Sequence, residues 1–482
     1  MLNLPQLTLS LFWFVLVIAL AITVGALAIF LWGIWRRRRL EREIEEIRRR
    51  SIRNPHYGKD HSRPEKTAYP TVFKSSGTTI ETVIIKNFKN IKELHLDFTR
   101  PSALTGRWTC IAGINGAGKS AILQALCLVL LGSEYVSELG RSRLGRMLRR
   151  TADGTLNAEV EAIVQQHGVR RRLYIPLTGS GTEEGRVDED LLRKQSDFHE
   201  MRETWTRLRK ELFVCYGASR NVSEFKDPRN ESLSRTVQRQ MTLFDPLTQI
   251  ASVDFLLKGG RQAKPVLSIL YRLLRIVLGS EGLLPQQPEG ESKLRFSQHD
   301  AAMDVIDLPD GFRSTVAWLA DLSASWCELP VNEKPDPDPT KIKGIVMLDE
   351  IGLHLHPSLE KSLVSQLRRA LPNVQFITST HSPLVLSSFD RSEIVMLDAS
   401  SPSGARELDR QVFGFTMDDI YAWLMDTSPG SPVMEQMLKE SSDPELAVYL
   451  YQSKDVNEDR AREIIAEREK QIAKLRRQRD LS

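Results

Sequence analysis

One loop sets the architecture of the chain, and it reads Gly113-Ile114-Asn115-Gly116-Ala117-Gly118-Lys119-Ser120. The apolar run 108–112 before it resembles a strand, and the run 121–130 after it resembles a buried helix. Glycines between a strand and a helix let backbone N–H groups converge on phosphate oxygens, and the start of the helix adds positive partial charge. The alternative, a glycine-rich turn that binds nothing, does not account for the flanking strand and helix. The loop therefore predicts an α/β fold that binds a nucleoside triphosphate.

Each residue type in this loop has a chemical use. The ammonium of Lys119 is expected to reach the β- and γ-phosphates of ATP, and the hydroxyl of Ser120 is expected to bind Mg²⁺. The residues predicted to contact the nucleotide are Gly113, Asn115, Gly116, Ala117, Gly118, Lys119 and Ser120.

A second stretch, far along the chain, supplies carboxylates. Residues 343–348 form an apolar strand, which Asp349 and Glu350 follow directly. A carboxylate at the end of such a strand can hold Mg²⁺, so Asp349 is expected to be a metal ligand together with Ser120. Glu350 is expected to orient or deprotonate the water that attacks the γ-phosphate.

Two separate segments resemble one family. "KNFKNIKELHLDF" followed by "GINGAGKS", and the later "GIVMLDEIGLHLHP…NVQFITSTHSP", are similar to ABC-type ATPases of the SMC, RecF and OLD group, AAA-type P-loop ATPases found in bacterial defence systems. The resemblance covers approximately residues 79–425. It implies a P-loop NTPase fold, namely an ABC-type ATPase head with a mixed sheet, that hydrolyses ATP with Mg²⁺.

The resemblance also implies roles for further residues. His381 matches the switch histidine that contacts the γ-phosphate, which makes the expected catalytic set Glu350, His381 and Lys119. Gly311 lies in a run that resembles the ABC signature loop, which contacts the nucleotide of the opposite subunit, so a homodimer or higher homo-oligomer is expected. Pro309 and Asp310 replace the serine and glycine that are usual in that motif.

Three residues between these segments are candidates for contacts near the γ-phosphate, and their roles stay open. The family places a glutamine that senses the γ-phosphate in this region, and Gln238 and Gln240 are both available. Arg220 follows a buried, strand-like run, and it could either lie on the phosphate side of the sheet or be an ordinary surface arginine.

The N-terminal segment predicts a membrane anchor. Residues 9–35 are almost wholly apolar and, as a helix, are long enough to cross a bilayer. Four arginines, 36–39, follow directly, and the positive-inside rule then places the remainder in the cytoplasm. A cleaved signal peptide is the alternative, but the basic start that it requires is missing. We therefore expect a single-pass protein of the inner (cytoplasmic) membrane of a bacterium, with its ATPase domain in the cytoplasm.

The composition alone excludes few classes of function. The net charge is only +4 over 482 residues, so no general affinity for nucleic acid follows. The four cysteines are scattered through apolar runs without a paired spacing, which favours packed thiols over disulfides or zinc ligands. The charged helical tail at 457–479 could bind nucleic acid, although interleaved acidic residues favour a protein partner.

The expected domain organisation contains six segments. Residues 79–98 are predicted to be two strands in the same sheet as the strand before the phosphate loop. The segments are a transmembrane anchor (1–35), a basic juxtamembrane stalk and linker (36–78), an ATPase N-lobe with the Walker A loop (79–130), a helical insertion (131–305), an ATPase C-lobe with the signature-like loop, Walker B strand and switch histidine (306–400), and a helical C-terminal region (401–482). The arginine-rich stalk could be solvated or could form a short self-associating seam.

Three functions compete at this level. The first is an ATPase that regulates a separately encoded effector, similar to those of anti-phage systems. The second is an SMC/RecF-like, DNA-associated ATPase of DNA repair or maintenance, tethered to the membrane. The third is an anchor that binds ATP without hydrolysing it, and the presence of Lys119, Asp349, Glu350 and His381 argues against this third function.

Overall fold

The structure is a computed structural model that describes residues 77–412 with internal gaps. The gaps are 101, 103, 105, 150–155, 181–183, 223–232, 258–262, 287–293, 299–300, 331, 333–334, 399–403, 407 and 409–411. The predicted anchor, almost all of the predicted stalk and linker, and most of the predicted C-terminal region lie outside the described residues. Within the described ranges, no helix is both long and apolar enough to span a bilayer.

The described residues form fourteen strands and twelve α-helices. The strands are β1 (Thr79–Phe88), β2 (Ile91–Asp97), β3 (Arg107–Ala112), β4 (Asn157–Gln166), β5 (Val169–Ser180), β6 (Glu184–Val187), β7 (Leu212–Tyr216), β8 (Leu284–Gln286), β9 (Arg295–Gln298), β10 (Ala301–Asp304), β11 (Lys343–Leu348), β12 (Asn373–Thr380), β13 (Ile394–Leu397) and β14 (Ala405–Arg406). The helices are α1 (Lys119–Leu131), α2 (Ser133–Glu138), α3 (Arg141–Gly145), α4 (Glu189–Arg193), α5 (Phe198–Leu208), α6 (Arg235–Gln238), α7 (Met241–Phe244), α8 (Val253–Leu257), α9 (Ala263–Val277), α10 (Asp310–Cys327), α11 (Pro357–Ala370) and α12 (Pro383–Leu386). Four short 3₁₀ turns lie at Gly279–Glu281, Val305–Asp307, Pro339–Lys341 and Arg391–Glu393.

The main sheet has six strands in the order β14-β13-β3-β12-β11-β7. Its five longer strands pair in parallel, and only β14 is antiparallel, so the predicted mixed sheet is confirmed. β11 is a nearly continuous apolar run because both faces of a parallel sheet are covered. Parallel pairing also places the carboxyl ends of β3, β12, β11 and β7 at one edge of the sheet.

The two N-terminal strands belong to a different sheet from the one that was predicted. β1 and β2 pair with each other as expected, but they lie in a five-stranded sheet of order β2-β1-β4-β5-β6, whose pairs are all antiparallel. β3, which leads into the phosphate loop, lies in the main sheet. The prediction of one shared sheet was therefore wrong, because closeness in the chain does not determine which strand becomes a hydrogen-bonding neighbour.

Alternate residues of the main sheet belong to two hydrophobic cores. Cys110, Val346 and Phe376 pack on one face in a core that includes the apolar sides of α9, α10 and α11. Their sequence neighbours Ile111, Met347 and Ile377 pack on the other face, in a core shared with α1 and the antiparallel sheet. This alternation follows from the two-residue period of a strand.

Residues 131–305 are not the helical insertion that was predicted. Strands β4, β5 and β6 from this segment complete the antiparallel sheet, and β7 forms an edge of the main sheet beside β11. Within this segment, β4 and β5 form an antiparallel hairpin, and α9 is its longest described helix. The segment thus contributes to both sheets as well as supplying helices.

Candidate nucleotide-binding and catalytic site

The phosphate loop connects β3 to α1, as the sequence predicts. Gly116 and Gly118 have φ angles of +82° and +104°, a region that glycine enters without steric cost. No side chain caps the start of α1, so amides of its first turn have no side-chain acceptor there. An uncapped helix start with left-handed glycines before it fits an anionic phosphate group.

Lys119 is the first residue of α1, and its side chain folds back over the loop. Its Nζ lies 2.9 Å from the carbonyl oxygen of Gly113 and 3.3 Å from that of Ile114. The same Nζ lies 3.2 Å from Oε1 of Glu350, and the Lys119 side chain is only 6% exposed. The structure therefore brings together two of the three predicted catalytic residues, which lie far apart in the sequence.

Glu350 also contacts the third predicted catalytic residue. Its Oε2 accepts hydrogen bonds from Nδ1 of His381 at 2.8 Å and from the backbone N–H of His381 at 3.2 Å. β11 and β12 are parallel neighbours, so the turn after one strand meets the residue that follows the other. Glu350 consequently links Lys119 and His381 through its two carboxylate oxygens.

The two predicted metal ligands lie at the same edge of the sheet. Asp349 is buried and accepts a hydrogen bond from the hydroxyl of Ser379, whereas Ser120 lies exposed in the first turn of α1. A hydroxyl and a carboxylate are hard oxygen ligands that suit Mg²⁺, which commonly takes only one or two carboxylates from a protein. Within the described ranges, no group of three or more His, Cys, Asp or Glu side chains could form a metal site.

Gly311 has a clear packing role. Helix α10 begins at Asp310, so Gly311 lies inside its first turn. A Cβ at this position would overlap the carbonyl oxygen of His354, so only glycine permits the close approach of these two segments. Arg313 forms an ion pair with Asp310 at 2.6 Å. The contact of Gly311 with a second subunit's nucleotide stays a prediction.

The three residues whose roles the sequence left open lie in different surroundings. Gln240 is wholly buried, and its Nε2 donates to the carbonyl oxygen of Phe213 at 2.8 Å, while Gln238 donates to that of Leu233. Arg220 is 4% exposed, so it is not a surface arginine. It donates to the backbone carbonyl groups of Asp349 and Glu350, which form the acidic turn after β11.

Two further residues support the site, although the sequence motifs did not predict them. The side-chain amide of Asn90 donates to the carbonyl oxygen of Gly116 at 2.9 Å and so supports the phosphate loop from the antiparallel sheet. Ser379 contacts Asp349 and also accepts the backbone N–H of Glu350 at 2.8 Å. Ser379 stands near the end of β12, two residues before His381, which follows that strand, and this spacing is a signal that could have identified it.

Two family models match the chain in separate segments. A model described as "AAA domain" matches residues 82–253, and a model described as "AAA domain, putative AbiEii toxin, Type IV TA system" matches residues 299–387. The first segment contains the phosphate loop, and the second contains Asp349, Glu350 and His381.

Several curated proteins are similar to parts of the chain. A Septu protein PtuA from Bacillus mycoides (strain KBAB4) is 27% identical over 66% of this chain and 40% of the relative. The Retron Ec83 probable ATPase of Escherichia coli is 34% identical over 23% of this chain and 20% of the relative. A DNA replication and repair protein RecF from Synechococcus sp. (strain JA-2-3B'a(2-13)) is 27% identical over 24% of this chain and 27% of the relative. The chain thus spans less than half the length of each of these proteins.

Among solved structures, the SMC head domain from Thermotoga maritima superposes with a TM-score of 0.40 and 14% identity, covering 69% of this chain and 99% of that one. The two family matches meet at the edge of the main sheet, where Lys119 contacts Glu350. Two segments of the chain thus match AAA-domain models, and parts of the chain are similar to Septu, retron and RecF proteins.

Proposed function

We propose that the chain binds ATP at the phosphate loop and hydrolyses it at Glu350. One observation carries this proposal: the Lys119 ammonium and the Glu350 carboxylate meet at 3.2 Å, with His381 on the other carboxylate oxygen. A phosphate-binding lysine and a potential general base at this distance can act on the same phosphoryl group.

The proposed chemistry assigns a separate task to each group. Amides of the first turn of α1 and the Lys119 ammonium bind the phosphates, while Glu350 takes a proton from the attacking water and His381 holds Glu350 in place. Ser120 and Asp349 would hold Mg²⁺, which would neutralise charge on the phosphates when bound. Phosphate oxygens compete with Glu350 for Lys119, so nucleotide binding is expected to leave Oε1 of Glu350 available to water.

The wider role that we propose is regulation of a separately encoded effector in anti-phage defence. The ATPase would act as a homodimer or higher homo-oligomer, anchored in the inner membrane of a bacterium by residues 1–35. Support comes from the family model whose description includes a putative toxin and from the similarity to a Septu protein and a retron ATPase.

The ATPase proposal is tested by phosphate release from the purified full chain, with Mg²⁺ and with a chelator. Lys119→Ala should abolish both nucleotide binding and hydrolysis, because the buried ammonium is lost from the loop. Lys86→Ala removes a lysine that is 48% exposed on β1, and it should leave both unchanged. A protein that is folded yet releases no phosphate at any Mg²⁺ concentration would refute the proposal.

A DNA-associated role is the second candidate, favoured by the similarity to a RecF protein. Stimulation of phosphate release by double-stranded DNA, lost as salt is raised, would support this role. Release that is indifferent to DNA would favour the effector-linked role instead.

A further inference from the structure

The turn that carries Asp349 and Glu350 has an unusual backbone. Glu350 has a φ angle of +48°, in the left-handed region that residues with a Cβ rarely adopt. Non-glycine residues persist there only where surrounding contacts hold them. The contacts around this turn therefore decide where its two carboxylates point.

Arg220 holds the turn from the side of β7. Its Nη1 donates to the carbonyl oxygen of Asp349 and its Nη2 donates to that of Glu350, both at 2.8 Å. β7 and β11 are parallel neighbours, which brings the segment after β7 against the turn after β11. The planar guanidinium thus fixes two consecutive carbonyl groups at once, a geometry that an ammonium cannot reproduce.

Ser379 holds the turn from the opposite side, on β12. Its hydroxyl donates to Oδ1 of Asp349 and accepts the backbone N–H of Glu350 at 2.8 Å, and the residue is fully buried. The carbonyl oxygen of Ser379 also accepts the N–H of Ile351 at 3.0 Å. One serine therefore orients the Asp349 carboxylate and the Glu350 backbone together.

The charge of Arg220 also bears on the site. Burial lowers the pKa of its guanidinium to about 10, while the nearby Asp349 and Glu350 oppose that shift. The side chain therefore remains protonated at neutral pH. Its positive charge lies close enough to Asp349 and Glu350 to interact with both.

We infer that Arg220 and Ser379 are positioning residues for ATP hydrolysis: together they hold the left-handed Asp349–Glu350 turn so that Asp349 faces the metal and Glu350 faces the attacking water. The inference rests on the proposed ATPase function. It assigns neither residue a contact with ATP, and it predicts that both act through the acidic turn.

The test compares two conservative variants with matched controls in the full-length protein. Ser379→Ala and Arg220→Lys should lower kcat about tenfold to hundredfold and should leave the KM for ATP nearly unchanged, because the phosphate loop is untouched. Ser379→Ala should also raise the Mg²⁺ concentration for half-maximal rate about tenfold, since Asp349 loses its orienting donor.

The controls carry the same substitutions away from the site. Ser323 is fully buried in α10 and donates to the carbonyl oxygen of Leu319, and Arg239 forms an ion pair with Glu328 at 2.9 Å. Ser323→Ala and Arg239→Lys should leave both kcat and the Mg²⁺ dependence as in the parent protein. Thermal unfolding of all four variants shows whether a loss of rate comes from a loss of fold.

Different failures of the experiment have different meanings. An active parent protein whose folded Ser379→Ala and Arg220→Lys variants keep its kcat and Mg²⁺ dependence would overturn this inference alone. A lower melting temperature with unchanged Mg²⁺ dependence and kcat would do the same, because the residues would then be purely structural. A parent protein without ATPase activity would overturn the proposed function and this inference with it.

Discussion

At the scale of single residues, Glu350 is the group that should separate nucleotide binding from hydrolysis. Glu350→Gln keeps the shape of the side chain but removes the basic carboxylate and weakens the contact with Lys119. We expect turnover to fall by roughly 10²–10⁴-fold, while ATP binding is kept or strengthened. Nucleotide binding by calorimetry and single-turnover phosphate release measure the two steps separately, and unchanged turnover would exclude Glu350 as the base.

The site residues differ in how far the sequence could identify them. Lys119 and Glu350 stand in motifs whose local context is itself diagnostic, because each motif is a loop at the end of a strand. Asn90 acts through one hydrogen bond and Arg220 through two, to backbone groups that are distant in the chain. Such contacts depend on which strands become neighbours, and no local pattern encodes that order.

At the scale of elements, a buried ion pair connects α11 to the short turn before β13. Arg368 donates to both carboxylate oxygens of Glu393, at 2.9 Å and 2.6 Å, and the two side chains are 6% and 2% exposed. The guanidinium also lies over the Trp108 ring, 5.2 Å from its centre. Arg368 therefore connects α11 both to the turn before β13 and to β3, the strand that leads into the phosphate loop.

Glu393→Gln should reduce the free energy of unfolding by about 3–5 kcal/mol, because it leaves a buried guanidinium without its countercharge. Urea unfolding at neutral pH measures the change. The matched control is Glu203→Gln, which removes an exposed ion pair with Arg207 on α5 and should cost under about 0.5 kcal/mol. Equal effects of the two substitutions would contradict the prediction.

Local sequence patterns predict the strands β1 and β2 but not the sheet that these strands join. The alternation in 79–98 correctly predicts β1 and β2, because it shows which side chains face a core. It contains no information on which other strands will pair with them. Their partner β4 begins beyond the phosphate loop and three helices, so the pairing depends on tertiary packing.

At the scale of the whole molecule, burial should keep all four thiols unreactive. All four cysteines are buried, and burial raises the pKa of the Cys110 and Cys215 thiols and raises that of Cys327 to about 12. Because the thiolate is the reactive form, native labelling by Ellman's reagent at pH 8 should be slower than in urea by about 100-fold or more. Rapid labelling of the folded protein would contradict this burial pattern.

Stability should also depend on the ionisation of Asp321 in α10. Burial raises the pKa of its carboxyl, although the Tyr216 hydroxyl donates to it at 2.7 Å and opposes the shift. A raised folded-state pKa means that the proton is bound more tightly in the folded protein, so stability is lost as the pH rises from about 4 through that pKa.

Asp321→Asn removes this titration and should make the protein more stable than its parent at pH 7. The difference should shrink as the pH is lowered toward 4, and urea unfolding across that range measures it. Asp254→Asn, at an exposed position of α8, should show no such pH-dependent difference. A parent protein that is equally or more stable at pH 7 would show that the ionised carboxylate is well accommodated.

The proposed anchor has a direct test in cells. Deletion of residues 2–35 should move the protein from the membrane pellet to the supernatant, because the apolar segment would supply most of the binding free energy. A deletion variant that still sediments with membranes would assign the attachment to another part of the chain.

The order of strands in the main sheet has a consequence for synthesis. β3 and β11 pair with opposite edges of β12, which is the last of the three to leave the ribosome. The phosphate loop and the acidic turn therefore cannot be aligned in a nascent chain until residue 380 or so has emerged. A polypeptide stalled or cut short before that point would contain the phosphate loop but not the β12 strand that aligns it with Glu350, so the proposed hydrolysis requires a chain that extends past β12.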